Sequence, residues 1–414
     1  MRITLIFPAI GITGFGCKDY YSGEVSWIHH GLASIGASLK KSGHEVDLID
    51  LRRLDGWQQY EDELKGHNPD FIGVSISAMD LKPALEAIDR AKKLVPNAKI
   101  IVGGIQPTMF PEKFIDNPNI DYIVKGEGET AMHRIVWGAE AVDGKIVHGC
   151  RENLDMLPFA DRELFDYKLE MENPFILGTQ KKPMVTMIAG RGCPYHCAYC
   201  QPAENSVFGI PHRKRSVKSV CEELEILKEK YNYQSVLFWD DTFVMNPKWI
   251  HEFCETYKGG GDIIANCRAD IICNHPEMIK ELSEHGLDTL LIGFESGSQR
   301  MLDFIEKGVT VEQNYEAADI CRQYGVKIFG TYMVGLPGET KADALLTRAM
   351  IWGINPENKL MFIFTPIPGT KLFDYCKSND LLLDQDYTDI ARTGVRKARI
   401  KGVDYKMLMN TAKV

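Results

Sequence analysis

The chain has 414 residues, enough for two or three domains, and its 44% hydrophobic and 25% charged content is that of an ordinary globular protein. A net charge of −9, from 48 Lys and Arg against 57 Asp and Glu, with no basic run longer than Arg213-Lys214-Arg215, argues against nucleic acid or an anionic membrane as the main partner. No apolar run approaches the ~18 residues of a membrane span, and Met1-Arg2-Ile3-Thr4 enters a strand-like run directly, so a cytoplasmic location is expected.

In the first 150 residues apolar runs alternate with helical patterns. Residues 3–7, 45–49, 71–76, 99–102 and 122–124 read as buried parallel strands, with helices over 31–42 and 83–94. This predicts an α/β domain with a doubly wound sheet, Rossmann- or flavodoxin-like, whose ligand lies at the carboxyl ends of the strands. The loops expected there are 8–27, 75–83, 103–107 and 126–129, carrying Ser75, Ser77, Gly103, Gly104, Gly126 and Glu127. No G-x-G-x-x-G follows the first strand and no P-loop is present. His29 and His30 open the next helix, where capping or polar core contacts are the plain expectation.

Residues 151–182, with Pro158 and Pro174, read as a linker. From Met184 the alternation resumes, with strands at 185–189, 235–239, 262–266, 289–294, 327–333 and 360–364. Six repeats predict a partial (β/α)6 barrel of TIM type over 183–370, followed by a short C-terminal extension, 371–414. Chemistry in such barrels sits at the carboxyl ends of the strands. The loop after the first barrel strand contains Cys193, Cys197 and Cys200. Three thiolates on one loop can hold three irons of a 4Fe-4S cube and leave the fourth open to a small molecule. A closed zinc site needs a fourth ligand and usually a second Cys or His pair; no second knuckle exists, and only His196 or His212 could complete a tetrahedron. Cys17, Cys150, Cys221, Cys254, Cys267, Cys273, Cys321 and Cys376 read as core or surface thiols in a reducing cytosol. The later strand ends bring Asp240 and Asp241, then Arg268, then Glu295 and Ser296, then Gly335. Asp240 and Asp241 either face the cavity or cap the following helix.

The spacing Cys-x3-Cys-x2-Cys, with Tyr199 just before the last cysteine, resembles the signature of radical S-adenosylmethionine (SAM) enzymes. The first half is similar to the cobalamin-binding domain that precedes the radical SAM barrel in one large subclass. Gly31-Leu32-Ala33, Gly43-His44-Glu45-Val46-Asp47, Gly73-Val74-Ser75, Val102-Gly103-Gly104 with Pro107, and Val124-Lys125-Gly126-Glu127-Gly128-Glu129 carry that likeness. The resemblance implies a 4Fe-4S cluster on the three cysteines and SAM chelated at its open iron. For SAM it implies contacts from Tyr199, from Glu295 to the ribose, from Arg268 as a fork to the carboxylate, from Ser296, and from Gly335 beside the adenine. It implies cobalamin near Ser75, Ser77, Gly103, Gly104, Gly126 and Glu127, held base-off, and with no histidine beneath the cobalt, because the Asp-x-His-x-x-Gly motif that supplies one in other families is absent.

The activity so implied is that of a class B, methyltransferase-type enzyme, methylating an unactivated carbon through methylcobalamin and a 5'-deoxyadenosyl radical. The substrate would be a small natural product or a residue of a peptide or protein, and a ferredoxin- or flavodoxin-type protein would donate electrons. Two alternatives stand beside it: a cyclase or oxidative rearrangement enzyme using the same cofactors, and a cobalamin carrier or sensor without catalysis. The carrier leaves Arg268, Glu295 and the Gly335 segment without a purpose. Methylthiolation is disfavoured, since only Cys17 and Cys150 precede the linker. The tail, with Tyr387, Tyr405, Met407 and Met409, is expected to cap the site.

Overall fold

Parallel strands buried on both faces must be apolar along their whole length, and the sequence supplies two sets of them. The computed structural model describes residues 1–10, 14–15, 28–138, 144–172, 180–200, 203–209, 212–383 and 399–414. Cys17, Pro174 and Tyr387 lie outside the described residues, as does most of the loop 8–27. The described residues form two compact units, one from those up to 172 together with 203–209, the other from 180–200, 212–383 and 399–414.

The first unit holds β1 (Arg2–Phe7), β2 (Glu45–Asp50), β3 (Phe71–Ser75), β4 (Lys99–Gly103), β5 (Tyr122–Lys125) and β6 (Ile146–His148). They make one sheet in the order β2-β1-β3-β4-β5-β6, parallel at every pairing. Ile3, Ile72, Val74, Ile100 and Val102 are buried in its core. The order reverses between β1 and β3, which is the flavodoxin-like switch point where such sheets take a ligand. The register sets Ser75 beside Gly103 at that end.

Two features of this unit differ from the sequence expectation. β6 was not expected; its three residues are too short to show a period. The segment read as a linker packs on the first unit instead: Asp161 N–H donates to the Ala33 carbonyl at 3.0 Å and Asp161 pairs with Lys40 at 2.7 Å. Its helix Tyr167–Glu172 delivers Glu170 to the guanidiniums of Arg52 and Arg53. Proline content marked the segment as irregular, but its contacts are long-range and so invisible in a local pattern.

The second unit holds β7 (Met184–Met187), the short antiparallel pair β8 (Gly190–Arg191) and β9 (Arg213–Lys214), then β10 (Ser235–Phe238), β11 (Asp262–Cys267), β12 (Leu287–Glu295), β13 (Lys327–Val334) and β14 (Asn358–Ile363). The sheet runs β14-β13-β12-β11-β10-β7, every pair parallel and every strand next to its predecessor among those six. This is the wall of a partial barrel, with helices such as Val217–Tyr231 and Lys341–Ile354 as crossovers. The tail contributes the helices Lys371–Ser378 and Tyr405–Ala412, and the Tyr332 hydroxyl donates to the Ala412 carbonyl at 3.4 Å.

Candidate active site

The cysteine loop leaves β8 and is fixed by main-chain bonds to two later segments. Ala198 N–H donates to the Ile305 carbonyl at 2.8 Å, and the Ala198 carbonyl accepts from Leu372 N–H at 2.9 Å. Cys197 is buried, Cys193 half-buried and Cys200 exposed. Burial raises the Cys193 thiol above its ordinary value. Crowding around the Cys200 sulfur pushes its thiol up to about 12, with Asp241, Cys197 and Cys193 adding to the rise. The three sulfurs thus sense one another. Among the described residues no three His, Cys, Asp or Glu side chains converge on a single ion position. A 4Fe-4S cube takes one thiolate per iron, so three cysteines on one loop match three of its corners.

Arg268, at the end of β11, meets this loop. Its Nη1 donates to Cys197 Sγ at 3.5 Å and its guanidinium lies 3.6 Å from the centroid of the Tyr195 ring. Nε and Nη2 donate to Asp270 at 2.9 and 3.3 Å, and Nη2 also to the Lys307 carbonyl at 2.6 Å. The edge expected to fork onto a SAM carboxylate is therefore occupied by Asp270. Arg-Ala-Asp spacing hid this, because Arg268 is the extended N-cap residue and Asp270 lies in the first turn of the helix that follows.

Glu295 closes β12 on a bulge, where the pairing register with β13 shifts between Gly293 and Glu295. Its φ of 61° is left-handed, unusual for a non-glycine and costly by about 1–3 kcal/mol unless its surroundings hold it there. They do: Glu295 Oε1 accepts from the Tyr199 hydroxyl at 2.8 Å and from Lys307 Nζ at 3.0 Å, while Lys307 Nζ donates to the Tyr199 hydroxyl at 3.2 Å. Burial and the Glu295 carboxylate raise the Tyr199 phenol well above its usual range, so it stays a donor. Lys307 was missed in the sequence reading. Its only local signal is Gly308, whose φ of 66° marks a forced turn.

Ser296 turns inward, its hydroxyl 3.1 Å from both Thr347 Oγ1 and Ser298 N, so it braces the turn after β12. Gly335 has a φ of 89°, and a Cβ there would stand 2.8 Å from the Tyr405 ring. The direction a side chain would take from Gly335 is thus filled by the C-terminal helix. Asp240 is buried, with Oδ2 accepting from Ala189 N–H at 2.9 Å. Neither Asp240 nor Asp241 caps the next helix, Pro247–Thr256, since Asn246 does. Among the described residues, Asp240 Oδ1 and His212 Nε2 are buried with no hydrogen-bond partner, each close to the position a Cβ on Gly190 would take (3.1 and 3.2 Å). Burial raises the Asp240 carboxyl and lowers the nearby Lys214 ammonium, which lies over the Phe243 and Trp249 rings. Cys193 Sγ stands 4.0 Å from Thr242 Oγ1, which ties this strand end to the cysteine loop.

In the first unit, Ser75 Oγ lies 3.1 Å from His29 Nε2, and His29 Nδ1 accepts from Leu32 N–H at 3.0 Å. Both ring nitrogens of His29 are therefore engaged, the first-named expectation for this residue, and burial lowers its pKa to about 4 so that it is neutral. Ser77 donates to Asp80 at 2.6 Å. Gly104 is left-handed at φ 95°, and a Cβ would come within 3.0 Å of the Ile76 main chain; Gly126, at φ 103°, would meet the Phe208 ring at 2.7 Å. Gly103 meets only ordinary contact with Val124. Glu127 accepts from Glu152 N–H at 2.9 Å.

The sequence matches the model of the radical SAM superfamily over residues 187–351 and that of the B12 binding domain over residues 23–136. The chain belongs to the cobalamin-dependent radical SAM enzymes. An uncharacterized methyltransferase of Pyrococcus horikoshii is 29% identical over 377 residues, covering 86% of this chain and 80% of its own. The anaerobic magnesium-protoporphyrin IX monomethyl ester cyclase of Cereibacter sphaeroides is 27% identical over 408 residues, 90% of this chain and 63% of its own. The solved structure of the cobalamin-dependent SAM radical enzyme OxsB, with aqua-cobalamin and SAM bound, shares the fold with a TM-score of 0.72 at 18% identity, over 95% of this chain and 64% of that one. Family membership brings a 4Fe-4S cluster, SAM and cobalamin. No helix among the described residues is long and apolar enough to cross a membrane.

Proposed function

We propose that this radical SAM enzyme is a C-methyltransferase whose cluster is held by Cys193, Cys197 and Cys200 and whose SAM ribose is bound by Glu295. The observation that carries the reading is the cysteine loop meeting the Tyr199–Glu295–Lys307 triad, in a chain that also has a B12-binding domain. When bound, the cluster with SAM supplies a 5'-deoxyadenosyl radical, and cobalamin supplies the methyl group. The protein groups orient and exclude water. Lys307 and Tyr199 aim the Glu295 carboxylate, whose Oε2 forms no hydrogen bond to the described residues. Asp240 Oδ2 accepts from Ala189 N–H and so fixes the strand end that leads into the cysteine loop. On the cobalamin side, the loops after β3, β4 and β5 would cradle the cofactor by main-chain approach. Both nitrogens of His29 are engaged within the protein, which supports a cobalt with no histidine beneath it. Ten described cysteines without disulfides suit a reducing cytosol, with a ferredoxin- or flavodoxin-type donor.

The methyltransferase relative in Pyrococcus horikoshii favours methylation; the cyclase relative, at nearly the same identity, supports the second reading, oxidative ring closure. Product stoichiometry separates them. Methyl transfer releases S-adenosylhomocysteine and 5'-deoxyadenosine in equal amounts with a gain of one methylene in the substrate. Deoxyadenosine alone, with the substrate turned over, assigns the cyclase class. Anaerobically reconstituted protein is expected to bind about four irons. Replacing Cys193, Cys197 and Cys200 together by Ala should abolish both iron binding and SAM cleavage; stoichiometric iron in that variant would refute the ligand assignment.

A further inference from the structure

We propose that Arg268 is a positioning residue of the iron-sulfur cluster, donating a charged N–H to the Cys197 sulfur and raising the cluster's reduction potential, and is not a fork for the SAM carboxylate. The inference rests on Cys197 being a cluster ligand. A guanidinium has five N–H donors. One on Nε and two on Nη2 are given to Asp270 and the Lys307 carbonyl, and one on Nη1 to Cys197 Sγ, which leaves a single N–H. A bidentate contact needs two. The group is also locked in place: its face lies on the Tyr195 ring at 3.6 Å, and Tyr195 belongs to the same loop, between Cys193 and Cys197. Arg268 is 7% exposed, so water screens its charge little. A planar, always charged fork suits this post better than an ammonium, which can neither stack nor hold three partners in one plane.

One-electron reduction adds negative charge to the cluster and its thiolates, and a fixed cation with an N–H on sulfur stabilises that charge. Reduction is then easier with Arg268 than without it. The chain also connects two halves of the site through one residue, since the Lys307 carbonyl accepts from Arg268 while its ammonium holds Tyr199 and Glu295.

The test is a potentiometric titration of the anaerobically reconstituted full chain without SAM, with dithionite as reductant and the paramagnetic resonance signal of the reduced cluster as readout. Arg268→Gln is expected to lower the reduced-to-oxidised ratio at a fixed potential about tenfold, equivalent to about 59 mV for one electron. Tyr195→Leu, which removes the ring under the guanidinium but keeps Asp270, the Lys307 carbonyl and Cys197 as its partners, should shift the potential in the same direction by less. Should Arg268→Gln load iron poorly, wild-type protein grown on guanidino-15N arginine replaces it, and a 15N hyperfine coupling to the reduced cluster in the absence of SAM is expected. An unchanged potential at full iron content, or no 15N coupling, overturns the proposal. A weaker SAM affinity with unchanged potential does so too, and returns Arg268 to the SAM carboxylate. A wild-type protein that loads no cluster at all overturns the cysteine assignment itself, and this inference with it.

Discussion

Glu295, 7% exposed and left-handed, has Lys307 as its cationic partner, itself 7% exposed. Removing one member of a buried pair leaves the other charge without compensation, at a cost of about 3–5 kcal/mol. Lys307→Met and Glu295→Gln are each therefore expected to destabilise the protein by that order in denaturant melts, and Glu295→Gln, which still offers Tyr199 an acceptor, should also weaken SAM binding. Gly293 shows why the pair fits: a Cβ there would lie 2.3 Å from Glu295 Oε1 and 3.1 Å from Lys307 Nζ. Gly293→Ala should displace the carboxylate, raising the dissociation constant for SAM about tenfold at a stability cost of about 1–3 kcal/mol; unchanged SAM affinity would remove Glu295 from the SAM site. Glu295 was legible in sequence because it ends a strand in a glycine-serine setting. Lys307 was not, because it reaches the same carboxylate from a turn after an intervening helix, and nothing local announces such a partner.

Whole strands were legible where burial on both faces makes them continuously apolar, as in β1, β3 and β10 to β13. The short β6 and the packed segment 151–172 were not, since their positions depend on partners far along the chain. The helix Lys341–Ile354 shows how an element end is secured by such partners. Thr340 and Asp343 form a reciprocal capping box, and Asp343 also accepts from Ser298 at 2.6 Å and pairs with Arg300. Burial alone would raise the Asp343 carboxyl, but the hydrogen bonds from Ser298, Thr340 and Arg300 outweigh it and lower it to about 2. The folded value is below the unfolded one, near 3.9, so the contribution is present above about pH 4 and is lost as pH falls through about 2. Wild type should therefore lose stability relative to Asp343→Asn across that window in acid melts. A constant difference between the two from pH 6 to pH 2 would show that the carboxylate's charge is not what holds the helix start.

The division into a flavodoxin-like sheet and a six-stranded parallel wall was readable from two runs of alternation, and the cysteine spacing named the chemistry of the second. What the sequence reading could not supply was how the glycines at the strand ends are used. A side chain on Gly335 would meet the Tyr405 ring and one on Gly104 would meet Ser75 and Ile76, so each glycine makes room for a protein neighbour. A Cβ at Gly104 would force a left-handed loop (φ 95°) carrying a side chain against the Ile76 main chain at 3.0 Å, and every contact it disturbs belongs to the first unit. Backbone strain of this kind costs about 1–3 kcal/mol. Gly104→Val should therefore lower cobalamin affinity about tenfold while leaving about four irons per chain. The triple Cys→Ala variant should show the reverse: no iron, with cobalamin retained at the wild-type level. Absorbance and metal analysis on the two purified variants read both quantities at once. Loss of both cofactors in either variant, with the protein still folded by circular dichroism, would mean that the two sites are formed cooperatively and not by separate units.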